Sequence, residues 1–307
     1  MKWKKLGKIF DVDNIDLEWM NSHAMMPVVE KYSENKIKVY FSPRDKFNRS
    51  RCASFIYDLE TKKISELTKT PLLELGERGC FDDSGVMPTS IVNDGDNKYL
   101  YYNGWTLGGT VPFFSFNGIA ISNDSGKSFK KLAKYPKALN RNEIDPFSTF
   151  APFVIKEEKW KMWYVSLIKW VESKSELKHY YHIKYAESED GINWIRKGKI
   201  AIDFKNKLEY AIARPCVIKE DNIYKMWYSY RAGIKNKTYR IGYAESKDGM
   251  DWVRMDEKMQ FDVSLEGWDS EMICYGHMFR YKDKLYMLYN GNGYGKTGIG
   301  LAVLEEK

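Results

Sequence analysis

The sequence has few cysteines and places them far apart, so it offers neither a disulfide framework nor a zinc-binding pattern. The four cysteines are Cys52, Cys80, Cys216 and Cys274, and no CxxC pair occurs among them. Isolated thiols of this kind are typical of a reducing compartment. The initial segment MKWKKLGKIFDVDN is basic but has no apolar run after it, so we expect no secretory signal and a cytoplasmic protein.

Long apolar runs and concentrated basic runs are also missing. No segment approaches the roughly 20 apolar residues of a membrane-spanning helix, so no membrane span is expected. The net charge is +7, but lysine and arginine are spread along the chain, which argues against a nucleic-acid polymer as partner. No Walker or dinucleotide-binding glycine pattern opens a helix, and the sequence predicts no cofactor.

A pattern of about sixty residues recurs along the chain and decides the predicted fold. The segment APFVIKEEKWKMWYVS from Ala151 is repeated as ARPCVIKEDNIYKMWYSY from Ala213, and weaker copies occur elsewhere. Each copy has a small or proline start, a short strand, a polar turn and an aromatic strand. The aligned anchors of the copies are Pro27, Pro88, Pro152, Pro215 and His277.

Each repeat also has a second half. IKYAESEDGINW from Ile183 and IGYAESKDGMDW from Ile241 are typical of a third strand, a tight Asp-Gly turn and a fourth strand. Four-stranded antiparallel units of this kind are the blades of a propeller. The sequence therefore predicts an all-β, five-bladed β-propeller.

The fifth repeat lacks its fourth strand, and the start of the chain supplies a candidate for it. MKWKKLGKIFD, residues 1–11, is similar to the fourth strands of other repeats. Pairing of the two chain ends would remove exposed sheet edges, which promote aggregation. We expect residues 1–11 to complete the fifth blade and residues 1–307 to form a single domain. The sequence leaves the oligomeric state open.

The loops between blades, and those between second and third strands, are expected on one face of the propeller. Loops on a rigid scaffold commonly carry binding and catalytic residues. In the predicted fold their ionisable side chains converge on the central channel, where charges are costly unless paired or used. The candidates are His23, Asp82, Asp83, Glu143, Asp145, Glu209, Arg214, Asp269, Glu271, Tyr275 and His277.

Paired carboxylates among these candidates suit glycoside chemistry, in which one protonates the leaving oxygen and the other attacks or activates water. Arginine suggests an anionic substrate, since its fork of donors binds phosphate and carboxylate. PRDKFNRSR places Arg44, Arg49 and Arg51 around Asp45, and pairing of Arg44 with nearby carboxylates is the alternative interpretation. The predicted substrate-binding residues are His23, Arg44, Asp45, Trp105, Arg214, Glu271, Tyr275 and His277.

The KMWY strands and AESxDGxxW turns make the chain resemble the five-bladed glycosidase superfamily, which includes invertases, levansucrases, arabinanases and mannoside phosphorylases. The likeness covers essentially the whole chain. It implies an acidic triad on successive blades, with Asp145 of the IDP segment as transition-state stabiliser, Glu209 as general acid and Asp83 as nucleophile or base. The first blade departs from the family, because SHAMMP with His23 stands where an aspartate is common.

Three functions follow from these observations. The first is a glycoside hydrolase-like enzyme that acts on a carbohydrate through the carboxylates. The second is a glycosyltransferase or phosphorylase that uses phosphate or a nucleotide-sugar, and the third is a sugar-binding propeller without catalysis. His179 and His182 have a spacing that could hold a metal, but isolated histidines in a loop are usually solvated, and no metal site is predicted.

Overall fold

The computed structural model describes residues 1–173, 176–233 and 238–305, and most of them lie in β-strands. In chain order the strands are β1 (Trp3–Phe10), β2 (Ser22–Lys31), β3 (Lys36–Arg44), β4 (Ala53–Asp58), β5 (Ile64–Ser65), β6 (Gly85–Asp94), β7 (Asn97–Leu107), β8 (Phe113–Ser122), β9 (Lys130–Lys131), β10 (Thr149–Lys156), β11 (Trp160–Ser173), β12 (Glu176–Ser188), β13 (Ile195–Ile202), β14 (Ala211–Glu220), β15 (Ile223–Arg231), β16 (Arg240–Ser246), β17 (Val253–Arg254), β18 (Cys274–Tyr281), β19 (Lys284–Asn290) and β20 (Ile299–Leu304). None of the described residues forms a helix long and apolar enough to cross a membrane.

Each sequence repeat forms an antiparallel unit of four strands. Unit one is β2–β5, unit two is β6–β9, and unit five has the order β1-β20-β19-β18. Unit three (β10–β13) and unit four (β14–β17) share one eight-stranded sheet, because a single parallel bridge joins Tyr181 to Ala211. The fold is therefore all-β and built from four-stranded antiparallel sheets.

The two ends of the described chain pair with each other. Strand β1 runs antiparallel to β20, from Trp3 opposite Leu304 to Phe10 opposite Ile299. This is the pairing that the sequence predicted for residues 1–11. The first strands of the units also contact one another in order, β2 with β6, β6 with β10, β10 with β14 and β14 with β18, and β18 contacts β2. These five strands therefore surround a common centre.

The Asp-Gly turns have the structural role that the sequence predicted. In the turn of unit three the Asp190 carboxylate accepts hydrogen bonds from the backbone N–H groups of Ile192 and Asn193, 2.8 and 2.7 Å away. The Gly191 carbonyl accepts a bond from Tyr101 of unit two at 2.6 Å. Trp163 of unit three likewise donates to the Gly249 carbonyl in the turn of unit four, at 2.8 Å, so these turns hold neighbouring sheets together.

Candidate functional site

A cavity of about 310 Å³ lies at the centre of the ring of first strands. Each unit contributes to its lining a residue of its first strand, and in units one to four this residue stands just before the predicted anchor. These five residues are Met26, Met87, Ala151, Arg214 and Tyr275. The cavity thus draws side chains from every repeat, but Arg214 and Tyr275 are the only lining residues among the ionisable candidates predicted for the central channel.

The backbone is strained at four of these five positions. Met26, Ala151, Arg214 and Tyr275 have φ angles of 54°, 48°, 56° and 57°, in the left-handed region that side chains other than glycine rarely adopt. The strain coincides with irregular pairing of the first strands with their neighbours. Such strain costs of order 1–3 kcal/mol per residue and clusters at functional sites. Here it accompanies the approach of four side chains to the cavity.

The fifth anchor lies one residue earlier than the sequence alignment predicted. His277 pairs with Leu288 in unit five, just as Cys216 pairs with Trp227 in unit four. Gly276 therefore corresponds to Pro215, and Tyr275 takes the place of Arg214. His277 is 7% exposed, packs 5.9 Å from the Phe153 ring and does not line the cavity.

One side of the cavity is an aromatic wall formed by Phe113, Phe150, His179 and Tyr181. His179 stacks on Tyr181 with ring centroids 5.1 Å apart, and its edge meets Phe113 at 5.7 Å. Phe150 contacts Tyr181 edge-on at 5.1 Å. His179 and Tyr181 lie on β12, Phe113 on β8 and Phe150 on β10. Trp170 of β11 packs against Phe113 and His179 with ring centroids 5.5 and 5.0 Å apart. The wall provides an apolar surface on which a ring could stack.

The adjoining part of the lining combines arginine with tyrosine, and its Tyr239 hydroxyl contacts the Tyr181 hydroxyl of the aromatic wall. The Arg231 guanidinium lies 4.4 Å from the Tyr239 ring centroid and 5.4 Å from that of Tyr294, and it donates a hydrogen bond to the Tyr294 hydroxyl. Tyr275 stacks against Tyr294 with centroids 6.5 Å apart. Arg44 lines the same cavity. We call Arg44, Arg231, Tyr239, Tyr275 and Tyr294 the arginine wall.

No carboxylate lines the cavity among the residues that the structure describes. Asp145, the predicted transition-state stabiliser, is 0% exposed and lies outside the lining. Its carboxylate accepts bonds from Tyr164 at 2.9 Å and Ser166 at 2.6 Å, and it pairs with Lys184 at 3.0 Å and Arg196 at 2.9 Å. Burial alone would raise the pKa of Asp145, but the hydrogen bonds from Ser166, Lys184 and Tyr164 and the charge of Lys184 hold it below its usual value. A carboxylate so occupied cannot contact a ligand in the cavity.

Glu209, the predicted general acid, is also engaged by its neighbours. It is 4% exposed, and Arg254 donates to both of its oxygens at 2.6 and 3.0 Å. The backbone N–H of Lys205 adds a third bond at 2.7 Å. Asp83, the predicted nucleophile or base, caps its own loop by accepting from Gly79 N–H at 2.9 Å and Ser84 Oγ at 2.8 Å. The structure does not bring the three carboxylates together at the cavity.

Asp145 and Glu209 belong to an arrangement that recurs in units two to five, which we call the acid–tyrosine–base trio. In unit two, Asp82 accepts from Tyr102 at 3.0 Å and pairs with Lys131 at 2.6 Å. In unit three the members are Asp145, Tyr164 and Arg196, and in unit five they are Asp269, Tyr289 and Lys5. Unit four uses Glu209 with Arg254, while its Tyr228 donates to Asp256. In each case the acid precedes the first strand, the tyrosine is on the second and the base is on the fourth.

Unit one replaces the trio with apolar residues. Met20 stands where the other units have an acid, and Phe41 stands where they have the tyrosine. Both are 0% exposed and belong to the same hydrophobic cluster. Unit one therefore lacks both the aspartate that is common in the first blade of the family and the tyrosine that would donate a hydrogen bond to it.

The predicted binding residues divide into two groups. Arg44, Trp105, Arg214 and Tyr275 line the cavity, and Trp105 is held there by a 2.9 Å bond from its indole N–H to Ser50 Oγ. Four others do not line it: His23, Asp45, Glu271 and His277.

The residues outside the cavity have other roles. Asp45 closes its own loop by accepting from the backbone N–H of Phe47 and pairing with Arg49 and Arg51 at 2.8 and 3.0 Å. Arg49 and Arg51 are thereby paired with Asp45, whereas Arg44 lines the cavity. Glu271 is exposed. His23 bonds to the neighbouring Ser22 hydroxyl at 2.9 Å.

Arg231 and the tyrosines at positions 181, 239 and 294 line the cavity but were not predicted from the sequence, and His179 was considered only as a possible metal ligand. Arg231 follows the aromatic strand of unit four as Trp105 follows that of unit two, and this correspondence could have identified it. His179 faces the cavity while His182 pairs with Asp203 at 3.1 Å, since residues three apart on a strand lie on opposite faces. They cannot share a metal, and the described residues contain no cluster of His, Cys, Asp and Glu that could hold one.

Acidification will destabilise the protein between about pH 6.5 and pH 4. Burial, followed by the nearby cations Arg44 and Lys296, lowers the pKa of His23 from 6.5 to about 4. Burial and then Arg231 do the same for His179, and burial lowers the pKa of His182 and His277. The unfolded chain takes up protons below its histidine pKa while the folded chain does not, so stability is present above pH 6.5 and falls below it.

Urea unfolding at pH 7.5 and pH 5 measures this loss. The upper limit is about 1.4 kcal/mol per pH unit for each neutral histidine, and solvent screening makes it less for the partly exposed His23. The variant His23→Gln should show a shallower dependence than the parent protein. Equal stability at the two pH values would contradict the prediction.

Known proteins with similar sequences and folds complete the description. No protein-family model matches the sequence. Solved structures with the same fold include a glycoside hydrolase (TM-score 0.75, 14% identity, 99% of this chain and 93% of that one) and a thermostable family-43 glycoside hydrolase (0.68, 16%, 93% and 91%). A third is the sucrose-6-phosphate hydrolase of Lactobacillus gasseri (0.63, 12%, 94% and 62%). The chain thus shares its fold with these glycoside hydrolases.

Two relatives are similar over their full length. The uncharacterized proteins MT1551 and Rv1502, from the CDC 1551 / Oshkosh and H37Rv strains of Mycobacterium tuberculosis, are each 42% identical to this chain over 307 residues. Each match covers 99% of this chain and 100% of the relative. The chain therefore belongs to the same protein family as MT1551 and Rv1502.

Proposed function

We propose that this chain is a five-bladed β-propeller that binds a carbohydrate in its central cavity and does not cleave it with a carboxylate pair. The ring of contacts among the five first strands, together with the pairing of β1 with β20, supports the propeller architecture. The central cavity is then the channel mouth, where propellers built from repeated units commonly bind ligands.

The observation that carries the proposal is the lining of the cavity. Aromatic rings form much of it, and Asn103 and Ser115 add polar groups that can meet sugar hydroxyls. A mostly apolar pocket with a few polar groups is the usual form of a small-ligand site. The names of the structural neighbours, a sucrose-6-phosphate hydrolase among them, favour a carbohydrate as the class of ligand.

Hydrolysis by the usual two-carboxylate route needs two acids that face the sugar about 5–5.5 or 6.5–9.5 Å apart. The described lining contains none, and the salt bridges of Asp145 and Glu209 turn those side chains to cationic partners. We therefore favour binding over hydrolysis. Transfer to phosphate or from a nucleotide-sugar would be shown by product that forms only when that co-substrate is present.

A binding screen with product analysis tests the proposal. Neutral and charged mono- and oligosaccharides are titrated calorimetrically against the protein, and each mixture is analysed for released sugar. We expect saturable binding without hydrolysis. Hydrolysis that disappears in both Asp145→Asn and Glu209→Gln, while those variants remain folded, would contradict the proposal and restore the carboxylate mechanism.

Loss of the Trp105 ring should weaken sugar binding about tenfold, which corresponds to roughly 1.4 kcal/mol of lost stacking and burial. The variant Trp105→Ala tests this by calorimetric titration. Its matched control is Trp19→Ala, because Trp19 is also partly buried and donates its indole N–H, to the Lys69 carbonyl at 3.0 Å, but lies outside the cavity. Equal loss of affinity in the two variants would argue against ring stacking at Trp105.

A further inference from the structure

Three arginines that line the cavity differ from the other shielded arginines of the protein. Arg51, Arg196, Arg240 and Arg254 each pair with a carboxylate at 2.6–3.0 Å. Among the described residues, Arg44, Arg214 and Arg231 form no salt bridge with a carboxylate, and no carboxylate lines the cavity beside them. The protein therefore neutralises its shielded arginines everywhere except at this cavity.

The three cavity arginines also keep unused donors. The Nε–H of each is buried without a hydrogen-bond acceptor. Arg214 is 0% exposed, and its two other nitrogens donate to the carbonyls of Thr89 and Pro27, in units two and one, at 2.7 and 3.0 Å. A buried cation without an anion and a buried donor without an acceptor both reduce stability. Such groups are retained where a ligand supplies the missing partner.

These three cations line the same cavity as Tyr275. The Tyr275 ring stacks on Tyr294, whose ring centroid lies 5.4 Å from the Arg231 guanidinium. Burial raises the pKa of Tyr275 well above its usual value, so the phenol stays protonated and can donate a hydrogen bond. The space next to Tyr275 thus collects guanidinium and hydroxyl donors, and the described lining offers no negative charge to balance them.

We infer that the ligand of this cavity carries an anionic group, a phosphate or a carboxylate, which binds to Arg44 and Arg231, while the buried Arg214 adds positive charge behind them. The inference rests on the proposed carbohydrate function for the rest of the ligand. Arginine forks match the oxygens of either anion with paired hydrogen bonds. The aromatic wall adjoins this position, because the Tyr181 hydroxyl contacts the Tyr239 hydroxyl, so the sugar ring stacks on the aromatic wall while its anionic substituent faces the arginine wall.

Calorimetric titration with matched sugars tests the inference. The probes are glucose, glucose 6-phosphate and glucuronate, the corresponding mannose set, and inorganic phosphate alone. We expect one of the anionic members to bind at least about tenfold more tightly than its neutral parent, and the difference to shrink at about 1 M salt, where the Debye length is short. Comparison of the phosphate and carboxylate members identifies the anion.

Variants of the arginine wall give the second readout. Arg44→Met should weaken binding of the anionic probe about tenfold and leave the unliganded protein no less stable, because the arginine has no internal counter-ion. Arg231→Lys keeps the charge and removes the fork, so a smaller loss is expected. The charge-matched control Arg78→Met removes an exposed arginine outside the cavity and should change neither property.

The outcomes separate this inference from the proposed function. Equal affinity for neutral and anionic sugars overturns the inference and leaves carbohydrate binding in place. Binding of inorganic phosphate, weakened by Arg44→Met, in a protein that binds no sugar supports the anion site and overturns the carbohydrate proposal. Absence of binding to every probe overturns both. An unaltered affinity for the anionic sugar in Arg44→Met also overturns the inference.

Discussion

Replacing Asp145 with asparagine will lower the free energy of unfolding by about 3–5 kcal/mol, because Lys184 and Arg196 will be left in a buried site without a counter-charge. The carboxylate is 0% exposed and meets these two cations at 3.0 and 2.9 Å. Asparagine keeps the shape of the side chain but carries no charge. Urea unfolding at pH 7.5 measures the loss, and ligand affinity of the folded fraction should not change.

Asp83→Asn is the matched control for this experiment. Asp83 is partly exposed, and the bonds that it accepts come from Gly79 N–H, Ser84 Oγ and the Thr106 side chain, none of them a cation. Its replacement should cost about 1 kcal/mol. If Asp145→Asn were as stable as the parent protein but abolished turnover or binding, Asp145 would act on a ligand and the structural interpretation of the trio would be wrong.

The second large effect is expected in unit one, where Met20→Asp should lower stability by more than about 3 kcal/mol. An aspartate there would be buried among apolar side chains with neither the tyrosine nor the base that the other units provide. Met20→Leu conserves apolar character and approximate volume and should cost less than about 1.5 kcal/mol. Both values come from chemical unfolding.

A double variant isolates the acid–tyrosine contact. Phe41→Tyr alone buries a hydroxyl without a partner and should cost about 1–3 kcal/mol. Met20→Asp with Phe41→Tyr should be more stable than the sum of the single losses, because the new phenol can donate to the new carboxylate. Strict additivity of the two losses would show that Met20 and Phe41 are not the counterparts of the acid and the tyrosine.

Much of the fold was predictable because each sequence repeat indicates the strands and turns of one unit. The copied aromatic strands and Asp-Gly turns predicted four-stranded units, and the likeness of residues 1–11 to other fourth strands predicted the pairing of β1 with β20. The anchor of the fifth repeat was wrong by one residue. His277 looks like the anchor in the sequence, but only the strand pairing shows that Gly276 follows the cavity residue.

The carboxylates were harder to interpret, because an acid before the first strand can serve a ligand or the sheet. The distinguishing partner is the base on the fourth strand, such as Arg196 for Asp145 or Arg254 for Glu209. The two members are far apart in the chain, and no local pattern connects them. Their pairing could be recognised only once the sheets were assembled.

Unlike the predicted carboxylates, the predicted arginines Arg44 and Arg214 line the cavity. The sequence grouped Arg44 with Arg49 and Arg51 around Asp45, but the loop closes with the latter two alone. Arg44 and Arg214 were each predicted from the sequence of one repeat. In the structure they line one cavity with Arg231 and with tyrosines from units three, four and five. Convergence of this kind depends on the arrangement of the units and on strained backbone at the cavity, neither of which short sequence segments encode.

The most direct test of the account is a crystal structure of the protein with the anionic sugar that binds best in the calorimetric screen. The account predicts that the anion contacts Arg44 and Arg231 beside Tyr275, that the sugar ring lies against the aromatic wall, and that Asp145 keeps its bonds to Lys184 and Arg196. A sugar bound elsewhere, or one contacted by the carboxylate of Asp145 or Glu209, would contradict it.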